Sequence, residues 1–443
     1  MRGKTTKMWQ FASFALCLAG LFICGQALGR NTHEPEKKAA GNQHRTLEAG
    51  AVVTLEELLG AAVEGNPGLK AAMQSAHAAR QMVTPARTLP DPTFTFQNMA
   101  GPDFPQLDAG DATSGRTYTL EQELPFPGKL DLKGKIASSE ADVQELGHAQ
   151  FLLQLKSNIK QAYYDLFFTY KSMETVRTDK ELLLTFTQIA ETRYQTGQGI
   201  QQDVVKAQVE ISKLIDRLVN LDRQRHTIEA DMNKLLYRSV ETPIGKPAEF
   251  EKAELIYSLD ELLEMARSSS PTIQTRRREI EGRQYGVELA QKEYYPDFAL
   301  GASYVERRDQ SDMYGIMIKA KLPVYFWRRQ RPELEAARAN LMSAQMMRNE
   351  TVSDISSKIR EAYVTATTAD QLIKLYYSAI VPQSRMSLES AMAGYQAGKV
   401  DFLTLIDNLV TLLDYELKYY ESLNEYQKAL ARLEPLVGME LTR

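Results

Sequence analysis

Few side chains in this sequence are placed to do covalent chemistry. Five histidines, His33, His44, His77, His148 and His226, are scattered without the spacing that a metal centre needs. No glycine-rich phosphate loop, nucleophile elbow or H-E-x-x-H stretch occurs. The residues therefore point away from an enzyme, and neither a cofactor nor a bound metal is expected. Met342, Met346 and Met347 offer thioethers that suit a soft metal, but they fall at helical spacing, so the expected role is core filling. The acids Asp203, Asp401 and Asp407 are more suggestive, because all three lie just beyond two glycine-containing turns. An acid at a helix start complements the positive end of the helix dipole.

The elements that carry these residues follow an export segment. Met1 to Lys7 is basic, Trp9 to Cys24 is apolar, and Gly25 to Gly29 ends in small residues. That order predicts a signal peptide over residues 1–29, since the apolar run is short for a membrane-spanning helix. An N-terminal anchor is the competing reading. Lipid attachment at Cys24 is another, although Ile23 is larger than such a site accepts before its cysteine. Cys17 and Cys24 are the only cysteines of the 443 residues, so cleavage leaves a chain without thiols, suited to an oxidising compartment. The formal net charge of -4 gives nucleic acid no purchase. Residues 30–53, polar at first and without periodicity, are expected to form a flexible tether.

The remainder is written twice. Thr54-Leu55-Glu56-Glu57-Leu58-Leu59 returns as Ser258-Leu259-Asp260-Glu261-Leu262-Leu263, and both strings have the spacing of a helix capping box. Asn66-Pro67 returns as Ser270-Pro271, Pro90-Asp91 as Pro296-Asp297, and Leu124-Pro125 as Leu322-Pro323. Tyr194-Gln195-Thr196-Gly197 returns as Tyr395-Gln396-Ala397-Gly398. Five marks in one order at a nearly constant shift define a tandem duplication. The first repeat is 54–242, the inter-repeat linker 243–257, and the second repeat 258–443.

Within each repeat a stretch of alternating residues interrupts long helical stretches. Hairpins are predicted over about 92–125 and 296–323, bracketed by Pro92 and Pro125 and by Pro296 and Pro323. Proline stops a helix and is tolerated at a strand's first residue, so these four mark strand–helix junctions. Lys129 to Gln195 reads as one helix of about 100 Å. Heptads run through Leu152, Ile159, Leu166 and Met173, through Ala207, Leu214, Leu221 and Ile228, and through Leu405, Leu412, Tyr419 and Tyr426. A sustained seven-residue repeat predicts coiled-coil packing. Pro382 predicts a kink in the outgoing helix of the second repeat.

Strands of about nine residues are long enough to cross a bilayer when tilted, but four cannot close a barrel, and lipid does not tolerate an open edge. Other copies must complete the sheet, unless the hairpins stay in water and cap a periplasmic coiled-coil scaffold.

The capping-box openings, Leu89-Pro90-Asp91-Pro92, the run from Gln122 to Leu130 and the two Tyr-Gln-x-Gly turns together resemble the TolC-type outer-membrane efflux proteins. The resemblance covers nearly the whole chain after Val53. It implies a mixed α and β fold: a homotrimer whose twelve strands, four per chain, form one outer-membrane β-barrel continuous with a long coiled-coil α-helical barrel. It implies residence in the outer membrane of a Gram-negative bacterium, in contact with its lipid and reaching into the periplasm. The implied function is the passive exit duct of a tripartite efflux pump. Its partners would be a periplasmic adaptor (membrane fusion) protein and an inner-membrane transporter of RND or ABC type. Type I protein secretion is the alternative duty. Pro125-Phe126-Pro127-Gly128-Lys129 most resembles the branch serving heavy-metal or cation efflux. By the same resemblance Tyr194, Gly197, Gly199, Tyr395 and Gly398 fall at the periplasmic entrance and its adaptor contacts, and Asp203, Asp401 and Asp407 could ring the pore and favour cations.

Overall fold

The computed structural model of the protein describes residues 52–99, 115–307 and 310–441. The expected signal peptide, both cysteines, His33, His44 and all but the last two residues of the expected tether lie outside the described residues. In chain order the elements are β1 (Val52–Val53), α1 (Leu55–Gly65), α2 (Pro67–Gln81), α3 (Val83–Arg87), β2 (Thr93–Met99), β3 (Gly115–Leu124), α4 (Lys129–Gln195) and α5 (Gln201–Leu235). The second half has β4 (Lys246–Pro247), α6 (Leu259–Ser269), α7 (Pro271–Lys292), β5 (Asp297–Glu306), β6 (Met313–Lys321), α8 (Gln330–Leu375), a π-turn (Tyr376–Ile380), α9 (Val381–Gln396) and α10 (Phe402–Val437).

Each repeat opens by the same local chemistry. The Thr54 hydroxyl accepts the Glu57 N–H at 3.3 Å while the Glu57 carboxylate accepts the Thr54 N–H at 3.1 Å, and Ser258 with Glu261 repeats the exchange at 3.4 and 2.8 Å. Pro67 and Pro271 then occupy the first turn of α2 and α7, where a missing N–H costs nothing.

The four long strands form one antiparallel sheet in the order β2-β3-β5-β6, so the pairing of β3 with β5 joins the two repeats. The register gives the sheet two chemically different faces. On one, Phe94, Leu120, Ala302 and Ile316 lie side by side across the strands, next to a row formed by Phe96, Tyr118, Tyr304 and Tyr314. Successive rings of that row are 5.2, 6.0 and 5.3 Å apart. On the other face Thr95, Thr119, Ser303 and Gly315 are in register, with Glu121 and Lys319 paired beside them at 2.5 Å. Among the described residues no helix covers the apolar face: Ile316 is 90% exposed, Tyr314 73% and Phe94 63%. Strands β2 and β6 have one unpaired edge each among the described residues.

The helices form an elongated body whose apolar contacts fall into three clusters rather than one core. Lys129 to Gln195 is one unbroken helix of 67 residues. Its heptad residues Ile159, Leu166, Met173 and Leu183 are buried, as are Leu405, Leu412 and Tyr426 of α10. The returning helix α5 differs, since Leu221 and Ile228 are only half-buried in the protomer.

Regular α-helical bonding is interrupted next to Pro382. The helix widens into the π-turn just before it, and the Val381 N–H bonds to the Tyr376 carbonyl five residues back. Widening by one residue accommodates a proline that cannot donate to position 378 and would crowd its carbonyl.

One expectation about the connecting segments is corrected. Val52 and Val53, placed in the flexible tether, form a parallel pair with Lys246 and Pro247, and Val53 is buried. Moreover, the inter-repeat segment is packed along the body. Ala248 receives the Tyr163 hydroxyl at 3.0 Å, the Phe250 ring sits 5.1 Å from that of Tyr164 and 4.6 Å from that of Phe167, Lys252 pairs with Asp370, and the Leu255 N–H reaches the Tyr426 hydroxyl at 3.0 Å. Further ties link the repeats. Lys160, almost fully buried, donates to both carboxylate oxygens of Glu434 at 2.7 and 2.8 Å. At the sheet junction buried Lys129 bonds Glu293 at 3.0 Å and Asp297 at 2.9 Å.

Candidate channel entrance

The far end of the helical body is built by two helix reversals. In the first, the Gln198 N–H bonds the Arg193 carbonyl at 2.8 Å and the Gly197 N–H bonds that of Tyr194 at 3.1 Å. In the second, Lys399 bonds Gly394 at 2.8 Å and Gly398 bonds Tyr395 at 3.0 Å. Both are Schellman closures, which need a left-handed residue at the fifth position; Gly197 has φ 75° and Gly398 φ 69°. Gly199 serves differently: a Cβ there would lie 3.1 Å from the Tyr194 nitrogen.

The structure breaks the symmetry of the two turns. Tyr194 is 48% exposed, whereas Tyr395 is 4% exposed and packs on Phe402 with rings 5.3 Å apart. Arg193, which precedes the first turn, reaches across to the second. Its guanidinium lies 4.7 Å from the centre of the Tyr395 ring and donates to the Tyr395 carbonyl. One side chain thus crosses between the reversals of the two repeats.

The three acids sit in three environments. Asp401 is the N-cap of α10: its carboxylate accepts the Thr404 N–H at 2.7 Å, which holds its pKa below the ordinary value. Asp203 is half-buried in the first turn of α5. Burial raises its pKa, the charge of Asp401 adds to this, and Arg193 opposes it. Asp407 is exposed, farther along α10. Asp203 and Asp401 thus act on one another at the tip, while Asp407 stands apart.

Pro92, Pro125, Pro296 and Pro323 flank the strands at the opposite end, where β2 and β5 begin and β3 and β6 stop. Met342, Met346 and Met347 do not fill a core; they are 61, 54 and 44% exposed on α8. Helical spacing was the correct inference, but α8 has neighbours on only part of its circumference. Among the described residues no group of three or more His, Cys, Asp or Glu is gathered to hold a metal ion.

A sequence profile of the family described as outer membrane efflux protein matches residues 58–236 and 262–439, one segment in each repeat. The chain belongs to the outer membrane efflux protein family. This efflux protein is 21% identical over 409 residues to the cobalt-zinc-cadmium resistance protein CzcC of Cupriavidus metallidurans, covering 88% of this chain and 91% of that one. Its fold is that of solved outer-membrane channels. VceC of Vibrio cholerae superposes with a TM-score of 0.73 at 18% identity, over 87% of this chain and 96% of the other. CusC superposes at 0.74 and 14% identity, over 94% and 99%, and Campylobacter jejuni CmeC at 0.72 and 15%, over 94% and 96%. The TolC-like mixed α and β fold expected of the efflux protein is therefore established.

Arg193 escaped the sequence reading although it adjoins a turn that the reading singled out. A signal was available: the equivalent position in the second repeat is Gly394, so a long cation replaces a glycine at one tip only.

Proposed function

We propose that three copies of this efflux protein close their four-stranded sheets into one twelve-stranded barrel in the outer membrane and continue it as a helical tube into the periplasm. The observation that carries this is the two-faced register: an aromatic and aliphatic face uncovered by helices, a polar opposite face, and two open edges. Lipid demands an apolar outer face and paired edges, and a water-filled lumen accepts the threonines, Glu121 and Lys319. The strands β3, β5 and β6, of 10, 10 and 9 residues, suit a tilted crossing.

In this reading the protein is a passive duct and not a catalyst. It is exported by its signal peptide and driven through a periplasmic adaptor by an inner-membrane transporter of RND or ABC type. The name of the relative CzcC supports divalent metal cations as cargo. The two reversals form the periplasmic entrance, with Tyr194, Gly197 and Gly199 in one turn and Tyr395 and Gly398 in the other, and Asp203, Asp401 and Asp407 contribute negative charge there.

Purified protein reconstituted in a planar bilayer tests the reading. A heat-modifiable trimer extracted from outer membranes that gives cation-sensitive single-channel conductance is expected. Release by osmotic shock as a soluble species without conductance would refute it. Asp401→Ala should weaken divalent-cation block; an unchanged record across pH and divalent concentration would remove that residue from the entrance.

A further inference from the structure

The connection from β6 to α8 has a composition that neither the sheet nor the helix explains. Val324, Tyr325, Phe326 and Trp327 are consecutive and 65, 69, 48 and 52% exposed, and Arg328, Arg329 and Arg331 follow, all exposed. The segment is folded: the Arg328 and Arg329 N–H groups bond the Tyr325 carbonyl at 3.0 and 3.1 Å, and the Arg331 N–H bonds that of Phe326 at 2.9 Å. Its rings touch edge to face, Phe326 with Trp327 at 5.2 Å and Tyr325 with Trp327 at 6.0 Å.

Helix stability does not account for the arginines. They cluster at the N-terminal end of α8, where the dipole disfavours cations, and among the described residues Arg329 alone of the three is ion-paired, with Glu333 at 3.4 Å. Arg328 and Arg331 make no ion pair among the described residues. The matching junction of the first repeat resolves the same problem internally, since Lys129 is buried against Glu293 and Asp297.

The position of the segment identifies what the arginines face. It directly follows the apolar face of β6, whose other end carries the ring row of Tyr304 and Tyr314. Leu322, 65% exposed, leads from that face into it. Tyrosine and tryptophan favour the level of lipid head groups, and arginines just beyond them lie at the depth of the phosphates.

We infer that Tyr325–Trp327 with Arg328, Arg329 and Arg331 form a binding surface for an anionic glycerophospholipid head group at the periplasmic rim of the barrel. The rings sit among the upper acyl carbons and the guanidinium groups take the phosphate, for which their fork of donors is suited. This rests on the reading of the sheet as lipid-embedded.

Trp9 and Trp327 are the only tryptophans, so Trp9→Phe leaves Trp327 as sole fluorophore whether or not the leader is removed. That full chain is reconstituted in phosphatidylcholine vesicles doped with brominated phosphatidylglycerol or brominated phosphatidylcholine, and quenching of Trp327 is compared. At about fivefold in partition per arginine, the anionic lipid should be preferred by roughly 20-fold or more. Arg328→Gln with Arg331→Gln should cut the ratio to about fivefold, the share left to Arg329, while the double lysine variant, which keeps the charge, retains part of it. Equal quenching by both lipids in the parent chain overturns the inference and leaves the membrane reading standing. So does an inserted chain with no quenching, because Trp327 would then lie at a seam between copies. If the double glutamine variant fails to assemble, the single variants Arg328→Gln and Arg331→Gln are read instead: a fall of about fivefold in each sustains the inference and unchanged selectivity overturns it. Failure of the parent to float with vesicles refutes the membrane reading itself, and this inference with it.

Discussion

Asp179 shows how a single carboxyl can set the pH response of the helical body. It sits on α4 at 5% exposure, and one of its oxygens is buried without a hydrogen-bond partner. Burial raises its pKa to about 7, Glu416 on α10 adds to the rise, and Arg385 on α9 opposes it. Because the folded pKa lies above the unfolded one, the native state holds the proton over a wider range. Stability therefore falls as pH rises from about 4 to about 7 and is flat beyond that. Asp179→Asn should raise the thermal midpoint at pH 8, by an amount equivalent to about 1–3 kcal/mol, and the gain should vanish near pH 4. A gain equal at both pH values would show that the ionised carboxyl is not responsible. The tip glycines make a second residue-scale case. Gly398→Ala must hold a Cβ at φ 69°, so a cost of about 1 kcal/mol in detergent unfolding is expected, and an unchanged midpoint would contradict the Schellman assignment.

At the scale of elements, the sheet is the part whose chemistry depends most on register. A shift of one residue would send Ile316 to the polar face and Gly315 to the apolar one. Ile316→Arg should cost about 2–4 kcal/mol of membrane stability, read as loss of heat-modifiable protein, whereas Thr119→Arg on the opposite face should insert normally and change conductance. Equal behaviour of the two variants would remove the distinction between lipid and lumen faces.

Much of this level was legible in the sequence. Alternation has a period of two and marks the hairpins, the capping boxes fix the helix starts, and the absence of proline between Gly128 and Thr242 permits α4 its full length. Periodicity does not say which neighbour covers an apolar stripe. Leu221, Ile228 and the three exposed methionines of α8 keep helical spacing yet are not enclosed within one protomer. Contacts between residues far apart in sequence, such as Arg193 with Tyr395 or Phe250 with Tyr164, leave no periodic trace at all. The π-turn was half legible: Pro382 announced a disturbance, but the extra residue taken up in the turn before it leaves no mark in the sequence pattern.

At the scale of the molecule, the two repeats are held by more than the peptide that joins them. Nine residue pairs connect β3 with β5, Lys160 and Lys129 bridge the halves, and the segment after Pro247 presses Phe250 and Leu255 against both. A chain broken after Ile256, which is 73% exposed, would keep every one of these contacts. Residues 1–256 and residues 257–443 behind an added leader, produced as separate exported polypeptides, should copurify and restore conductance. Failure to associate at comparable expression would show that the joint is needed. If the halves do assemble, the protein is a fused heterodimer, and its covalent bond supplies local concentration rather than architecture.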